Sequence, residues 1–137
     1  MDSMTKRPRS LSEVSRRVLH EDQKFGPCFR EFLDSFYTMN NDERRVALMT
    51  EPEIMNPIKD AYVAAAAEEL ARKFDLPEPE WVDNPDRFLE EPYFATDFQS
   101  LKATLIKESP IGFRRRLIFV SEDALYRPRL ETQAPKP

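Results

Sequence analysis

Apolar residues recur at helical spacing through the first third of the chain. Ser10 and Glu13 match a capping box, which predicts a first helix over about residues 10 to 24. Its apolar stripe is Leu11, Val14 and Val18. A second stripe follows the break at Gly26-Pro27 and consists of Phe29, Phe32, Leu33, Phe36 and Tyr37. This spacing predicts a second helix with Pro27 at its first position.

Two more helices are predicted in the middle of the chain. Asn40, with Glu43 three residues later, is typical of a helix cap, and Pro52 ends this third, short helix. Asn56-Pro57 opens a fourth helix that runs to about Phe74. Because four consecutive alanines at 64–67 let another helix approach closely, we expect it to form a central pair with the Phe29–Phe36 helix.

The pattern changes after Leu76. Closely spaced prolines predict that Trp81 lies on an extended segment packed across the helices. Asn84-Pro85 predicts a short helix through Phe88 and Leu89. Thr96, with Gln99 three residues later, predicts the cap of a helix whose apolar residues are Phe98, Leu101 and Leu105. Residues 117–120 predict a short strand whose pairing partner is not evident, and a second subunit is one source of it.

Composition supports a helical domain. The 137 residues include two Gly and twelve Pro, a balance unsuited to tight hairpins or glycine-rich phosphate loops. We therefore expect an all-α, single-domain irregular bundle of about six or seven helices with a proline-rich wrapping segment. Its predicted limits are residues 10–127, between a flexible basic N-terminus at 1–9 and a flexible tail at 128–137.

Charge is segregated along the sequence. Residues 1–30 carry a net charge of +3, residues 31–97 carry −11, and residues 98–137 carry +4. Two interpretations stay open: separate surfaces for different partners, or basic ends that fold back on the acidic middle. The N-terminus lacks a signal-peptide apolar stretch, and the longest apolar run, Ala61 to Ala67, is far too short for a membrane span. We expect a cytoplasmic protein that does not bind membranes.

The residue types that carry catalysis are sparse. A Cys28–His20 dyad is disfavoured because the two residues lie on different predicted helices, and Cys28 is typical of a small buried hydrophobe. Glu68-Glu69 and Glu90-Glu91 lack the Glu-x-x-His pattern of carboxylate-bridged metal sites. The expectation is a protein that is not an enzyme and has no catalytic residue, metal or cofactor.

Binding to another protein is the leading functional hypothesis. Aromatic residues and arginines are enriched at protein interfaces, so the candidate partner-binding residues are Trp81, Tyr93, Phe94, Arg114, Arg115 and Arg116. An alternative role for the arginines is structural, as ion pairs with acids such as Glu90, Glu91 or Asp97. An acidic face could also mimic nucleic acid in a basic cleft, and its candidates are Glu78, Glu80, Asp83 and Asp86.

A nucleic-acid-binding transcriptional regulator is the alternative function. Basic residues at both ends of the chain could neutralise phosphates: Lys6, Arg7, Arg9, Arg16, Arg17, Lys107 and the arginines at 114–116. Against this interpretation, the acidic middle would repel a duplex, and no helix-turn-helix with a basic second helix is evident. A homo-oligomer is a further possibility that the sequence leaves open.

Several segments resemble a known group of proteins. They include Leu-Ser-Glu-Val-x-Arg-Arg-Val-Leu at 11–19, Leu-Pro-x-Pro-x-Trp at 76–81, Arg-Phe-Leu-x-x-Pro-Tyr-Phe at 87–94 and Phe-Arg-Arg-Arg-x-Ile-Phe-Val at 113–120. The resemblance spans about residues 10–127 and is to a group of small uncharacterised bacterial helical proteins. Similar segments, particularly Trp81 followed by Arg87-Phe88-Leu89 and then Phe113-Arg114-Arg115-Arg116, also resemble the C-terminal part of bacterial antitoxin-like regulators that pair with nucleotidyltransferase-like proteins.

The resemblance implies a bacterial, antitoxin-like binding protein whose partner is the product of a neighbouring gene. The longer regulators carry an upstream helix-turn-helix. Here the N-terminal part is instead the helix over Phe29 to Tyr37. This difference counts against operator binding.

Overall fold

A computed structural model describes residues 6–127 of the chain. Within that range the fold is all-α, as predicted, with six α-helices and one two-stranded sheet. The predicted tail at 128–137 and the first five residues lie outside the described part. No helix in that part has both the length and the apolar character needed to cross a membrane. The chain divides into two compact units, and unit 1 is built from residues on both sides of unit 2 in the sequence.

Unit 1 comprises residues 6–55 and 125–127 of the described chain. Its helices are α1 (Leu11–His20), α2 (Phe25–Thr38) and α3 (Asn41–Met49), and α1 packs against the other two. The predicted caps of α1 and α3 are confirmed, with a full capping box at α3. The helix α2 begins before the predicted Pro27, because first-turn amides have no intrahelical partner and proline is tolerated there.

The core of unit 1 is aromatic. Ring centroids of Phe29 and Phe32 lie 6.0 Å apart, and those of Phe32 and Phe36 lie 5.6 Å apart. The returning segment is tied to α2 by two polar contacts. The Tyr37 hydroxyl donates to the Leu125 carbonyl at 2.7 Å, and the Arg127 Nε donates to Asp34 Oδ1 at 2.8 Å.

Unit 2 comprises residues 56–124. Its long helix α4 (Pro57–Lys73) is capped by the Asn56 side chain, as predicted, and packs against α6 (Ile111–Arg114). It ends in a Schellman motif, in which the Leu76 amide donates to the Ala71 carbonyl and Asp75 adopts a φ of 58°. The two helices predicted to form a central pair belong to different units, the Phe29–Phe36 helix to unit 1 and α4 to unit 2.

The remaining elements of unit 2 are short. Trp81 lies in a 3₁₀ turn (Glu80–Asp83) rather than on an extended segment, and the predicted helix after Asn84 is a single 3₁₀ turn (Pro85–Arg87). Both turns pack against α4. The predicted strand is present as β2 (Ile118–Phe119), and its partner is β1 (Tyr93–Phe94) of the same chain, parallel to it. Helix α5 (Gln99–Glu108) lies between the two strands in sequence.

Candidate functional site

The arginine triplet is organised around Glu68 of α4. Arg116 is fully buried, and its Nη1 donates to Glu68 Oε1 and to the Gly112 carbonyl, both at 2.7 Å. Its Nη2 donates to the Val82 carbonyl at 2.7 Å, and its guanidinium carbon lies 4.6 Å from the centroid of the Phe88 ring. Arg116 therefore joins α4, α6 and the Glu80–Asp83 turn from the inside.

Glu68 is held in its ionised form. Burial alone would raise the pKa of this carboxyl, but hydrogen bonds from Arg116 and Arg72 outweigh burial and lower the pKa below its usual value. Burial in turn lowers the pKa of the Arg116 guanidinium from its usual value. A buried charge pair of this kind is compensated by several hydrogen bonds, as the low-dielectric interior requires.

The other two arginines also contact residues of unit 2. Arg115 Nη2 lies 3.1 Å from Asp83 Oδ1, and its Nη1 lies 3.6 Å from Glu68 Oε2. Arg114 Nη2 donates to the Ser109 carbonyl at 2.8 Å, just beyond the C-terminus of α5. The basic C-terminal part of the chain thus folds back on the acidic middle, as one interpretation of the charge pattern predicts.

The prediction of which acids pair with the arginine triplet was wrong. Glu90, Glu91 and Asp97 are exposed, and none of them pairs with an arginine of the triplet. One sequence signal could have identified Glu68. It follows Ala61 and Ala64 at helical spacing, so an acid lies on the small-residue face that is expected to be buried.

Trp81 is a core residue rather than a surface residue. Its side chain is buried, and the guanidinium carbon of Arg87 lies 5.1 Å from the centroid of its ring system. Arg87 is itself fully buried, and its Nη1 lies 3.7 Å from Asp60 Oδ1 of α4. Of the six predicted partner-binding residues, Trp81 and Arg116 therefore have no accessible side chain to present to a partner.

Tyr93 and Phe94, the remaining two candidate residues, form the strand β1. Tyr93 is 39% exposed, whereas the Phe94 ring stacks on Phe119 of β2 with centroids 4.9 Å apart. The ammonium of Lys102, on α5, lies 5.1 Å from the Phe94 ring centroid. This contact places α5 beside β1.

Helix α5 exposes large apolar side chains. In the described structure none of its residues is buried. Phe98, which precedes its first residue, is 68% exposed, and Leu101 and Ile106 are 47% and 45% exposed. We refer to these three exposed residues together with Tyr93, on β1, as the β1–α5 surface.

The ends of α5 are fixed by polar contacts. Thr96 is not the helix N-cap as predicted, because Phe98 takes that position, but the Thr96 Oγ1 accepts a hydrogen bond from the Phe98 amide at 3.1 Å. At the other end the Ser109 hydroxyl is within hydrogen-bond distance of both the amide and the carbonyl of Val120, which follows β2. The C-terminal end of α5 is therefore anchored beside β2, and the turn before its N-terminus is closed by a local hydrogen bond.

Sequence reasoning missed this surface. Phe98 and Leu101 are predicted only as apolar residues of a helix, and Ile106 is not singled out. The sequence carries a weak signal that α5 is exposed. Lys102 follows Leu101 directly, and α5 contains Ser, Thr and Gln, whereas α4 is rich in alanine.

The basic residues near the N-terminus are largely engaged by carboxylates. Arg17 is buried and its Nη2 lies 2.6 Å from Glu13 Oε2, while Arg16 Nη1 lies 2.5 Å from Glu21 Oε2. Arg9 Nη2 lies 3.7 Å from Glu43 Oε2. These contacts leave less positive charge for phosphates than the sequence alone indicates.

Other candidate chemistry lies in unit 1. Cys28 is buried, and burial raises the pKa of its thiol to about 11, so the reactive thiolate is scarce at neutral pH. His20 Nε2 lies 3.1 Å from Glu53 Oε1. Across residues 6–127 the structure brings together no group of three or more His, Cys, Asp or Glu that could hold a metal.

Unit 1 also has a shallow depression of about 460 Å³ beside α3. Its apolar lining comes from Met39, Val46 and Ala47. Arg9 and Glu43, which are paired with each other, also line it. Asp42 lines it as well, so the apolar floor is bordered by one arginine and two acids.

Comparisons of the chain with family models, curated proteins and solved structures find no match.

Proposed function

We propose that this protein is a non-enzymatic protein-binding domain that acts as an antitoxin-like inhibitor of a partner protein. The observation that carries the proposal is the uncovered apolar face of α5. Phe98, Leu101 and Ile106, on or next to α5, are exposed to solvent. Exposure of several large apolar side chains is unfavourable unless a partner covers them.

An inhibitor of this kind needs surface rather than catalytic groups. It acts by covering the partner's site, and aromatic residues such as Tyr93 and Phe98 supply large contact area with few rotatable bonds. The arginine triplet then has a supporting role. Arg114 donates a hydrogen bond to the Ser109 carbonyl at the end of α5, and Arg116 joins α6 to α4.

The resemblance to antitoxin-like regulators supplies the partner class. It indicates a nucleotidyltransferase-like protein, encoded by a neighbouring gene, as the molecule that is inhibited. The nucleic-acid alternative has less support, because Arg16, Arg17 and Arg116 are paired with carboxylates.

The test is affinity capture of the tagged full chain from its source cells, with and without nuclease. We expect a stoichiometric, nuclease-resistant protein partner that is lost with Leu101→Asp. Val46→Asp is the matched control, since Val46 is exposed on α3 of unit 1, and it should retain the partner. Recovery of the bait alone, or of species lost with nuclease, would contradict the proposal.

Inhibition is measured on the captured partner. Its activity, assayed as nucleotidyl transfer to protein or RNA, should fall when wild-type chain is added at equimolar amount. The Leu101→Asp chain added in its place should leave the activity unchanged, and the Val46→Asp chain should inhibit like wild type. A partner that binds through the β1–α5 surface with unchanged activity would limit the function to binding.

A further inference from the structure

One edge of β1 is open. The amides of Tyr93 and Ala95 donate to the carbonyls of Leu117 and Phe119 at 2.8 and 3.0 Å, which fixes β1 to β2. Alternate residues of a strand bond to the same neighbour, so the backbone N–H and C=O of Phe94 point to the opposite edge. No hydrogen bond joins either group to another residue of the described part.

This edge adjoins the β1–α5 surface. Tyr93 is on the strand itself, and Phe98 follows Phe94 by four residues. A strand added at the edge would satisfy the Phe94 backbone and place its own side chains beside these exposed rings. Main-chain hydrogen bonds give such strand addition its affinity, and the flanking side chains give it specificity.

Acidic residues border the edge on both sides. Glu90 and Glu91 precede β1, and Asp97 follows it. All three are exposed, and no ion pair involves them within residues 6–127. Lys102, five positions after Asp97, has its ammonium 5.1 Å from the centroid of the Phe94 ring.

This charge pattern disfavours a second copy of the chain at the edge. An antiparallel pairing of two copies, centred on Phe94, places Glu91 of one copy opposite Asp97 of the other at both ends of the paired segment. Like charges directly opposite each other destabilise a strand pair. A segment with positive charge at the same two places has the complementary pattern.

We propose that the open edge of β1 binds an extended segment of the partner protein as a third strand, with Lys or Arg on both sides of an apolar centre. The basic residues meet Glu91 and Asp97, which are six positions apart in this chain. The inference rests on the proposed function, since it names the kind of segment that the β1–α5 surface takes.

The test uses a phage-displayed library of random linear peptides, panned on the full chain. Selected peptides should share two basic residues about six positions apart that flank apolar residues. Their affinity should fall about threefold to tenfold for the Glu91→Gln, Asp97→Asn double variant, because two exposed ion pairs are lost. The matched control is Glu122→Gln with Asp123→Asn, which removes the same charge from other exposed acids of unit 2.

Backbone pairing is tested on the peptide. If the peptide runs antiparallel to β1, N-methylation of the residue opposite Phe94 should weaken binding about tenfold, and N-methylation of either neighbouring residue should have little effect. If it runs parallel, one neighbouring residue should be sensitive and the central residue should not. Equal sensitivity at all three positions, or none, would contradict strand addition. The Phe94 amide should also exchange with deuterium more slowly when a selected peptide is bound.

The outcomes separate this inference from the proposed function. Peptides that lose binding with Leu101→Asp but ignore the Glu91, Asp97 variant would leave the protein-binding function in place and overturn the basic-strand inference. A selection with no peptide dependent on Leu101, Glu91 or Asp97 would count against both. A concentration-dependent dimer in sedimentation that competes with the peptides would replace the partner segment with a second copy.

Discussion

Helices α4 and α5 belong to the same unit, carry apolar residues at similar helical spacing, and have opposite environments. Ten of the residues of α4 are buried, and none of those of α5 is, in the described structure. The residues that α4 buries are mostly alanines, which allow α6 and the 3₁₀ turns to approach. The residues that α5 leaves exposed are large. An apolar stripe thus identifies which face of a helix is apolar, but not whether the same chain covers it.

The two helices also differ in whether their charged residues are buried. Asp60 and Glu68 of α4 are buried, and arginines from later in the chain, Arg87 and Arg116, reach them. The charged residues of α5, Lys102, Lys107 and Glu108, keep contact with solvent. The following predictions test whether α4 is the stabilising element of unit 2 and α5 the binding element.

The largest effect is expected for Glu68→Gln. The substitution leaves the buried Arg116 without its compensating charge, which should lower the free energy of unfolding by about 3 to 5 kcal/mol. Urea unfolding followed by circular dichroism measures it. Glu90→Gln is the control, because Glu90 is exposed, and it should change stability by less than about 0.5 kcal/mol. Equal effects would mean that the ion pair at α4 does not stabilise the fold.

Paired leucine truncations compare the two helices directly. Leu70 of α4 is fully buried, so Leu70→Ala should destabilise the protein by about 2 to 5 kcal/mol. Leu101 of α5 is 47% exposed, so Leu101→Ala should remain within about 1 kcal/mol of wild type in the same urea assay. A larger loss for Leu101→Ala would assign α5 to the core.

Close packing of α6 on α4 predicts a cost for Gly112→Ala. A Cβ at Gly112 would lie 2.9 Å from Glu69 Oε2 and 3.2 Å from the Ala65 carbonyl oxygen, so stability should fall by about 1 to 3 kcal/mol. In α2, Gly26→Ala would meet nothing closer than Arg30 Nη1 at 3.5 Å, and it should be neutral or stabilising. Thermal unfolding of both variants measures the two changes in stability, and an equal change in both would contradict the prediction.

Acid should weaken the same ion pair. Because the folded protein lowers the pKa of Glu68, its stabilising contribution is fully present above the unfolded value of 4.5 and is lost as pH falls through the lower folded pKa. The stability difference between wild type and Glu68→Gln should therefore shrink below about pH 4. Urea titrations at several pH values measure this, and a difference that stays constant in acid would contradict it.

The smallest effect concerns the end of α4. Asp75 has a φ of 58°, a region that glycine adopts at less expense than other residues. Asp75→Gly should raise stability by about 0.5 to 1 kcal/mol without altering the β1–α5 surface. Lower stability would indicate that the Asp75 side chain contributes to the fold. Peptide binding by this variant should equal that of wild type.

Local signals in the sequence predicted local structure well. Ser10, Asn40 and Asn56 cap their helices as expected, because capping depends on residues only three positions apart. The pairing of Arg116 with Glu68 spans 48 positions, and the partner strand of β2 lies far upstream. Such contacts depend on how the chain folds back, which periodicity does not encode.

The sequence identified some residues of the candidate site but not the role that each of them has. Tyr93, on β1, was identified and is exposed, whereas Arg116 was identified and proved to be buried inside the unit. Residue type alone cannot separate an arginine at an interface from one that satisfies a buried acid. The exposure of Phe98 could not be predicted either, since it depends on whether another segment of the chain packs against α5.

The contact between Arg127 and Asp34 has a consequence for synthesis on the ribosome. The two residues are 93 positions apart, and all of unit 2 is translated between them. At about 5 to 20 residues per second, the Asp34 carboxylate waits roughly 5 to 20 s for its partner. Unit 1 begins first along the chain, and it therefore receives its last described segment, residues 125–127, only after all of unit 2 has been translated.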